Sequence, residues 1–180
     1  GFGGVNPRDQ DATEQVRSCF EEYGFHGLKL HPTMDGYHFA DHALLDPVFE
    51  VVAEYDAVVI VNALDDQFVS PLRIEEIAKG HPDVPVLIAH MGTVWDVSEA
   101  ILVAGRTDNI YLETSSALGI DVSMAYEELG PVLDDILGTE DIAKAEGAAG
   151  VLTNGIITRE SALRHAVAGA LGPFVAEHYE

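Results

Sequence analysis

Four short apolar runs of this sequence each end in a polar residue that can take part in chemistry. A parallel sheet brings the carboxyl ends of its strands to one edge, and parallel α/β proteins bind their substrates at that edge. If the four runs are parallel strands, the polar side chains that close them share one site. The runs are His26–His31, Ala57–Asn62, Pro85–His90 and Asn109–Glu113.

The first run carries two polar residues on one face. Side chains alternate along a strand, so the leucines of Leu28-Lys29-Leu30-His31 point one way and the polar residues point the other. Leucines suit a layer of helices, and we therefore expect Lys29 and His31 to face the opposite side as catalytic residues. Burying an unpaired lysine is costly, so the alternative is that Glu113 neutralises Lys29.

His90 closes the third run, just before Met91 and Gly92. A neutral imidazole there can bind a divalent metal or take a proton from water, and His90 is predicted to be a catalytic residue and a metal ligand. The alternative is a histidine whose ring bonds to a neighbouring backbone carbonyl. Asn62 and Glu113, at the ends of the second and fourth runs, are predicted to bind substrate beside it.

Several other polar residues are weaker candidates. Tyr37, in the segment after the first run, is predicted to contact substrate. His38 and His42 are spaced i, i+4 and would hold a metal if helical, but the composition there favours a substrate loop or plain surface. Asp65 and Asp66 would supply oxygen ligands or simply be solvated surface.

Composition places the chain among single-domain globular proteins. It has 180 residues, 47% of them hydrophobic, which excludes intrinsic disorder and allows one ordinary domain. No apolar run approaches the ~20 residues of a membrane span, and no basic-then-apolar secretory signal is present. Cys19 is the one cysteine, so no disulfide framework is possible. We expect a soluble, cytoplasmic protein.

The net charge of the chain excludes some classes of binding partner. Thirty-one acidic residues against nine basic ones give a net charge of −22. Such a chain repels polyphosphates and anionic lipids, so neither nucleic acid nor a membrane is an expected partner, and a small-molecule substrate is. A surface rich in carboxylates and poor in lysine also resembles those of proteins from salt-loving organisms.

The elements between the runs read as helices. The starts of the runs lie about 31, 28 and 24 residues apart, which is the rhythm of βα units, and Gly1–Asn6 is predicted to end an earlier strand. The pattern fits either an open doubly wound sheet or a (β/α) barrel. Helix starts are predicted at Asp11 with Glu14 as a capping box, at Asp46 before Pro47, at Ser70 before Pro71 with an end at Gly80, and near Trp95.

The regular alternation of apolar runs and helical segments ends at about Gly130. Residues 131–180 are predicted to form a divergent, mainly helical tail of the same single domain, 1–180. No chemical signature is found in it.

Three segments together resemble a known family. They read GFHGLKLHPTMDGYHF, IAKGHPDVPVLIAHMG and NIYLETSS, and the opening GVNPRDQDA is similar to the same family's third strand. In this order and spacing they resemble the amidohydrolase-related family, from about Gly4 to Ser116. That resemblance implies a TIM-type (β/α) barrel, incomplete here, with the family's third to seventh strands. An incomplete barrel exposes strand edges, so a homodimer is a further expectation.

The resemblance also implies roles for particular positions. The family binds a divalent ion, commonly zinc, through a first-strand H-x-H pair, a fifth-strand histidine and an eighth-strand aspartate. His90 matches its sixth-strand histidine, and Lys29-Leu30-His31 matches its fourth-strand motif. Asn62 occupies the position of the fifth-strand histidine. The segment that most resembles the eighth-strand motif contains Asp141.

The function that follows from the resemblance is metal-dependent hydrolysis. A water activated by a divalent metal, commonly zinc in this family, would attack a small substrate that carries a carboxylate, amide or ester. The alternatives are a non-oxidative decarboxylase (lyase) like aminocarboxymuconate-semialdehyde decarboxylase, or a non-catalytic member that acts as a scaffold or binding module.

Overall fold

A computed structural model describes residues 1–64, 67–93, 95–118, 120–122, 124–125 and 127–129 of the chain. The predicted tail, residues 131–180, and the candidate residues Asp65, Asp66 and Asp141 lie outside that description.

The described strands form one parallel sheet that follows the order of the chain. They are β1 (Phe2–Gly4), β2 (Gly27–Leu30), β3 (Val58–Asn62), β4 (Val86–Ala89) and β5 (Ile110–Leu112). Each strand pairs with the next in sequence, in the order β1-β2-β3-β4-β5. A doubly wound sheet reverses its order part-way, whereas a (β/α) barrel adds strands in sequence. The predicted α/β class is confirmed, and the strand order is that of a barrel.

Helices connect the strands. They are α1 (Ala12–Glu21), α2 (Pro32–Asp35), α3 (His42–Glu54), α4 (Pro71–Gly80) and α5 (Val97–Ala104). The bounds of α4 agree with the predicted start at Ser70 before Pro71 and the predicted end at Gly80, because proline suits the first helical position. Within the described residues, no helix is long and apolar enough to cross a membrane.

Two helix starts differ from the sequence prediction. The predicted start of α3, with Asp46 as cap and Pro47 as first residue, is wrong: the helix begins at His42, five residues earlier, because the Asp41 carboxylate accepts a hydrogen bond from the backbone of Leu44. Asp46 binds histidine side chains instead. Asp11 does precede α1, but its carboxylate accepts from Gln15 Nε2 at 2.9 Å and caps no backbone N–H.

Two apolar clusters cover the faces of the sheet. The larger lies between the sheet and the helices and includes Leu28 and Leu30, both fully buried. The smaller contains Ile60, Leu87 and Ala89 on the opposite face. The leucines of β2 therefore face the helices, as their alternation with Lys29 predicts.

A buried carboxylate anchors α4 to the segment before β5. Glu75 is 5% exposed, and its two oxygens accept hydrogen bonds from Arg106, each at 2.7 Å. Thr107 and Lys79 bind the same carboxylate at 2.9 Å. These contacts, Arg106 first, lower the pKa of Glu75 to about 2.

We expect Glu75→Gln to destabilise the fold by about 1–2 kcal/mol near pH 7, since hydrogen bonds to a charged group are lost. A depressed carboxyl pKa contributes stability above the unfolded pKa of about 4.5, and this contribution disappears as the pH falls toward about 2. The stability difference between wild type and variant should therefore close over that interval in urea unfolding. Glu50→Gln, at an exposed position of α3, is the control, and a difference that does not change with pH would contradict the assignment.

Candidate active site at the strand ends

The inner face of the sheet carries two rows of side chains near its carboxyl edge. Backbone pairing aligns Lys29 with Ile60, Ile60 with Leu87, and Leu87 with Tyr111. The next row lies two residues further along each strand, since side chains alternate. It contains His31, Asn62, Ala89 and Glu113. Together with Lys29 in the first row, His31, Asn62 and Glu113 are predicted positions that fall on this face.

His90 reaches this edge through an unusual backbone turn. Alternation from Ala89 alone would direct its side chain to the helix side of the sheet. Instead His90, Met91 and Gly92 all have positive φ, at 62°, 54° and 73°, a region that residues other than glycine seldom occupy. Such backbone conformations cluster at functional sites, and here the turn brings the His90 ring back over the strand ends.

The His90 ring is held from two sides. Its Nε2 lies 3.2 Å from Asn62 Oδ1 at the end of β3. Its Nδ1 lies 2.8 Å from Ser115 Oγ and 3.0 Å from the Ser115 carbonyl oxygen, just after β5. Three neighbouring strand ends therefore meet at this imidazole.

The carboxylate of Glu113 accepts hydrogen bonds from Ser115 and from the backbone of His90. The carboxylate is 2% exposed; its Oε2 accepts from Ser115 Oγ at 2.6 Å and from the backbone N–H of His90 at 3.2 Å. Its Oε1 accepts from the backbone N–H of Ser115 at 2.7 Å. Both oxygens are thus occupied by donors within the cluster.

Lys29 is left without a direct partner. It is half-buried, and it forms no hydrogen bond or ion pair with any residue in the described part of the chain. Burial lowers the pKa of its ammonium group, and the charge of Glu113 opposes that shift from a distance. The alternative that Glu113 pairs directly with Lys29 is therefore not realised.

A second donor is unpaired on the adjacent strand. Asn62 is 5% exposed, and its Nδ2 has no hydrogen-bond partner among the described residues although it is buried. Lys29 and Asn62 belong to paired strands and to the same face of the sheet. The two donors lie in successive rows of that face, and an acceptor ligand would satisfy both, because a buried donor without a partner costs about 1–3 kcal/mol.

The remaining predicted residues have other contacts. His31 lies at the same edge, but its Nδ1 accepts from the backbone of Met34 at 3.4 Å and caps α2. Tyr37 is buried in the larger apolar cluster, and burial raises the pKa of its hydroxyl. No contact joins Tyr37 to His90 among the described residues, because the turn after α2 directs its ring into the core.

His38 and His42 do not form the helical pair that a shared metal would require, and both are exposed. His38 precedes α3, and its Nδ1 lies 3.0 Å from Arg73 Nη1. His42 is the first residue of α3 and binds Asp46 at 3.0 Å. The two imidazoles are therefore not on one helical face.

Ser115 is a site residue that the sequence reasoning missed. It lies two positions beyond Glu113, in the NIYLETSS segment. The search for polar residues stopped at the last residue of each run, and extending it by two residues past each run would have included this hydroxyl.

Comparison with known proteins identifies the family. A sequence model described as amidohydrolase matches residues 1–145, which is most of the 180 residues. The chain belongs to the amidohydrolase family.

Comparisons with individual known proteins cover a smaller part of the chain. An uncharacterized TIM-barrel protein from Bordetella bronchiseptica superimposes with a TM-score of 0.55 at 23% identity, over 63% of this chain and 42% of that one. It supports the barrel fold. Inosine/xanthosine triphosphatases from two strains of Vibrio cholerae serotype O1 are each 44% identical over 54 residues, 29% of this chain and 30% of theirs. The chain thus spans under a third of the length of these curated relatives.

The described donors do not fit the metal centre expected of an amidohydrolase. The family is generally metal-dependent, and a catalytic zinc needs three protein ligands and an open position. Here His90 Nε2 faces Asn62 Oδ1, and both Glu113 oxygens accept protein donors. In the parts of the chain that the structure describes, no three His, Cys, Asp or Glu side chains are grouped to hold a metal. Zinc binding by His90 therefore stays a prediction.

Proposed function

We propose that this amidohydrolase hydrolyses small substrates in which a carboxylate lies close to an ester or amide bond. The observation that carries the proposal is the placement of a half-buried imidazole, His90, between Asn62 and Ser115. The Lys29 ammonium, on the same sheet face, has no hydrogen bond or ion pair with the residues that the structure describes. One group is suited to proton transfer and the other to an anion. No step of the proposal passes through a metal, because the described donors do not supply its ligands.

Lys29 and Asn62 are the proposed carboxylate-binding pair. An ammonium group and an amide N–H are both donors, and a carboxylate offers two acceptor oxygens. Lys29 is half-buried and pairs with Gly4 and Ile60, which carry no polar side chain, so an ion pair there is less screened by water than one on the surface. These features support recognition of a small anion despite the acidic surface of the chain.

His90 is the proposed proton carrier. Its Nδ1 faces the carbonyl oxygen and hydroxyl of Ser115, and its Nε2 faces the Asn62 side chain. In the neutral ring one of these nitrogens carries no hydrogen and can accept a proton from the water molecule that attacks the substrate. The same proton can then pass to the leaving alcohol or amine. The Glu113 carboxylate, linked through Ser115, supplies negative charge that stabilises the imidazolium formed between the two transfers.

A matched pair of esters tests the proposal. We expect p-nitrophenyl hemisuccinate, which has a free carboxylate, to be hydrolysed with a kcat/KM at least about tenfold above that of neutral p-nitrophenyl butyrate, since one ion pair is worth about 1.4 kcal/mol or more at a desolvated site. Lys29→Met should remove this preference and leave the butyrate rate unchanged. The assays should be run at raised salt, because the net charge of −22 repels anions when unscreened.

Lys79→Met is the matched control for that variant, because Lys79 is exposed on α4 and binds Glu75 far from the strand ends. Equal rates for the two esters, or a preference that survives Lys29→Met, would contradict the proposed carboxylate site. Release of CO2 from a carboxylate substrate without hydrolysis would identify a decarboxylase. Carboxylate binding without any turnover would identify a binding module.

A further inference from the structure

We propose that four exposed apolar side chains beyond the strand ends bind the apolar part of the substrate, so that this amidohydrolase favours carboxylates with a long apolar body over short ones. The inference rests on the proposed function, because the Lys29 and Asn62 pair is the anchor for the carboxylate. It adds what holds the rest of the molecule. We call the four side chains the apolar rim; they are Met34, Leu64, Trp95 and Leu118.

The place of the apolar rim in the fold is more informative than its exposure. A single exposed leucine is ordinary on a protein surface. Here each of the four segments that follow β2, β3, β4 and β5 contains one residue of the rim, exposed to 79%, 42%, 82% and 59% in that order. The segments that precede the same strands are described throughout and contain one large exposed apolar residue, Tyr23, whose ring stacks on Phe25. Exposed apolar surface is thus concentrated at the edge of the sheet that carries His90.

Contacts between neighbouring segments make the rim continuous. The backbone N–H of Phe39, after β2, donates to the carbonyl oxygen of Phe68, after β3, at 2.9 Å. The end of β3 meets the segment after β4 at Asn62 and His90, and His90 in turn meets Ser115 after β5. The four segments therefore follow one another along the edge in the order of the strands.

The backbone of the rim is held in place although its side chains are exposed. The N–H of Trp95 donates to the carbonyl oxygen of Thr93 at 2.9 Å. The N–H of Leu118 donates to the Asp121 carboxylate at 3.1 Å. A surface that is ordered before binding loses less conformational entropy when a ligand covers it, so the rim is suited to binding.

A small molecule with a negative end fits the rim better than a macromolecule does. At this exposure the four side chains offer roughly 500 Å² of surface, whereas a standard protein interface needs about 800 Å² from each partner. The net charge of −22 repels a second copy of the chain and an anionic membrane. The unpaired donors of Lys29 and Asn62 need an acceptor at the same edge of the sheet, so the ligand that covers the rim carries an anionic group.

The spacing of the rows indicates how long that ligand is. Two residues along a strand span about 7 Å, which separates the row of Lys29 from the row of Asn62, and the rim residues lie beyond the second row. A carboxylate bound by this pair leaves acetate short of the rim. The chain of hexanoate or octanoate extends past the strand ends and reaches it.

Titration with saturated carboxylates from acetate to octanoate, at raised salt, tests the proposal. Trp95 is the single tryptophan of the chain, so its fluorescence reports the contact directly. We expect its emission to move to shorter wavelength with hexanoate and octanoate and to stay unchanged with acetate. The affinity should rise about twofold to fourfold for each added methylene, up to the value for a fully buried CH2 group.

Calorimetric titration of variants assigns the effect to the rim. Trp95→Ala should weaken octanoate binding by at least about tenfold, as truncation of a tryptophan at a binding surface often does, and should leave succinate binding unchanged. Trp95→Phe should restore most of the octanoate affinity. Leu102→Ala is the matched control, because Leu102 is 54% exposed on α5, and it should bind octanoate like the wild type.

The outcomes separate this proposal from the function on which it rests. An affinity independent of chain length, or octanoate binding that survives Trp95→Ala, would overturn the rim. An emission shift with phosphatidylcholine vesicles but not with octanoate would make a membrane surface the occupant, and a dimer that Trp95→Ala dissociates would make it a second copy; either result overturns the proposal. These titrations need no turnover, so a wild type that binds octanoate through Trp95 but hydrolyses neither ester supports the rim and overturns the proposed hydrolysis.

Discussion

Replacing His90 with alanine is expected to lower kcat/KM for the carboxylate-bearing ester by about 10²–10⁴-fold, the usual contribution of a general acid–base residue. Most of the loss should fall on kcat, since Lys29 and Asn62 Nδ2 bind the substrate carboxylate without the imidazole. The measurement is a steady-state comparison with the wild type, with succinate titration as the check on binding.

Two further variants make the His90 result specific. His90→Asn removes the titratable ring but suits the positive φ of 62°, because asparagine tolerates that region better than most residues; it should be as inactive as alanine while folding well. His26→Gln changes an exposed histidine before β2 and should keep wild-type activity. Activity retained by both His90 variants would remove His90 from the chemistry.

Gly27→Ala is expected to destabilise the fold by about 2–3 kcal/mol, in the upper part of the range for overpacking a buried position. An added Cβ at Gly27 would lie 2.7 Å from the Val58 carbonyl oxygen and would also clash with the Phe2 ring. A side chain tip can move aside, but the Val58 oxygen belongs to the backbone of β3 and can shift only if the two strands separate. Urea unfolding followed by circular dichroism measures the loss.

Gly4→Ala provides the control for Gly27, because a Cβ at Gly4 meets no atom within 4 Å. The control should change the free energy of unfolding little, apart from the small entropic gain of replacing a glycine. If the two variants were equally stable, the close approach of β2 and β3 at Gly27 would not be a constraint on the fold.

The order of elements could be predicted from the sequence because local signals agree with the tertiary structure. Each apolar run contains a strand, and the alternation around Lys29 predicts which face meets the helices. The start of α3 could not be read in the same way. Asp41 and Asp46 are equally good caps by residue type, and only the side-chain contacts of Asp46 with His42 and His81 show that it is used elsewhere.

The site was predictable in part for a similar reason. Asn62 and Glu113 reach it by ordinary alternation along straight strands. His90 reaches it only through consecutive left-handed residues, which no propensity of histidine or methionine predicts. Ser115 depends on where the chain turns after β5, and Tyr37 on how the turn after α2 packs; both are decided by tertiary packing rather than by spacing.

The left-handed turn after β4 has a consequence for efforts to make the protein resist heat. Holding histidine and methionine at positive φ stores strain, about 1–3 kcal/mol for each such residue, which glycine or asparagine would relieve. Selection for thermal stability alone would therefore favour variants that replace the His90 imidazole. Such variants would gain stability and lose catalytic activity. A screen for thermostable variants therefore needs to measure catalytic activity in the same step.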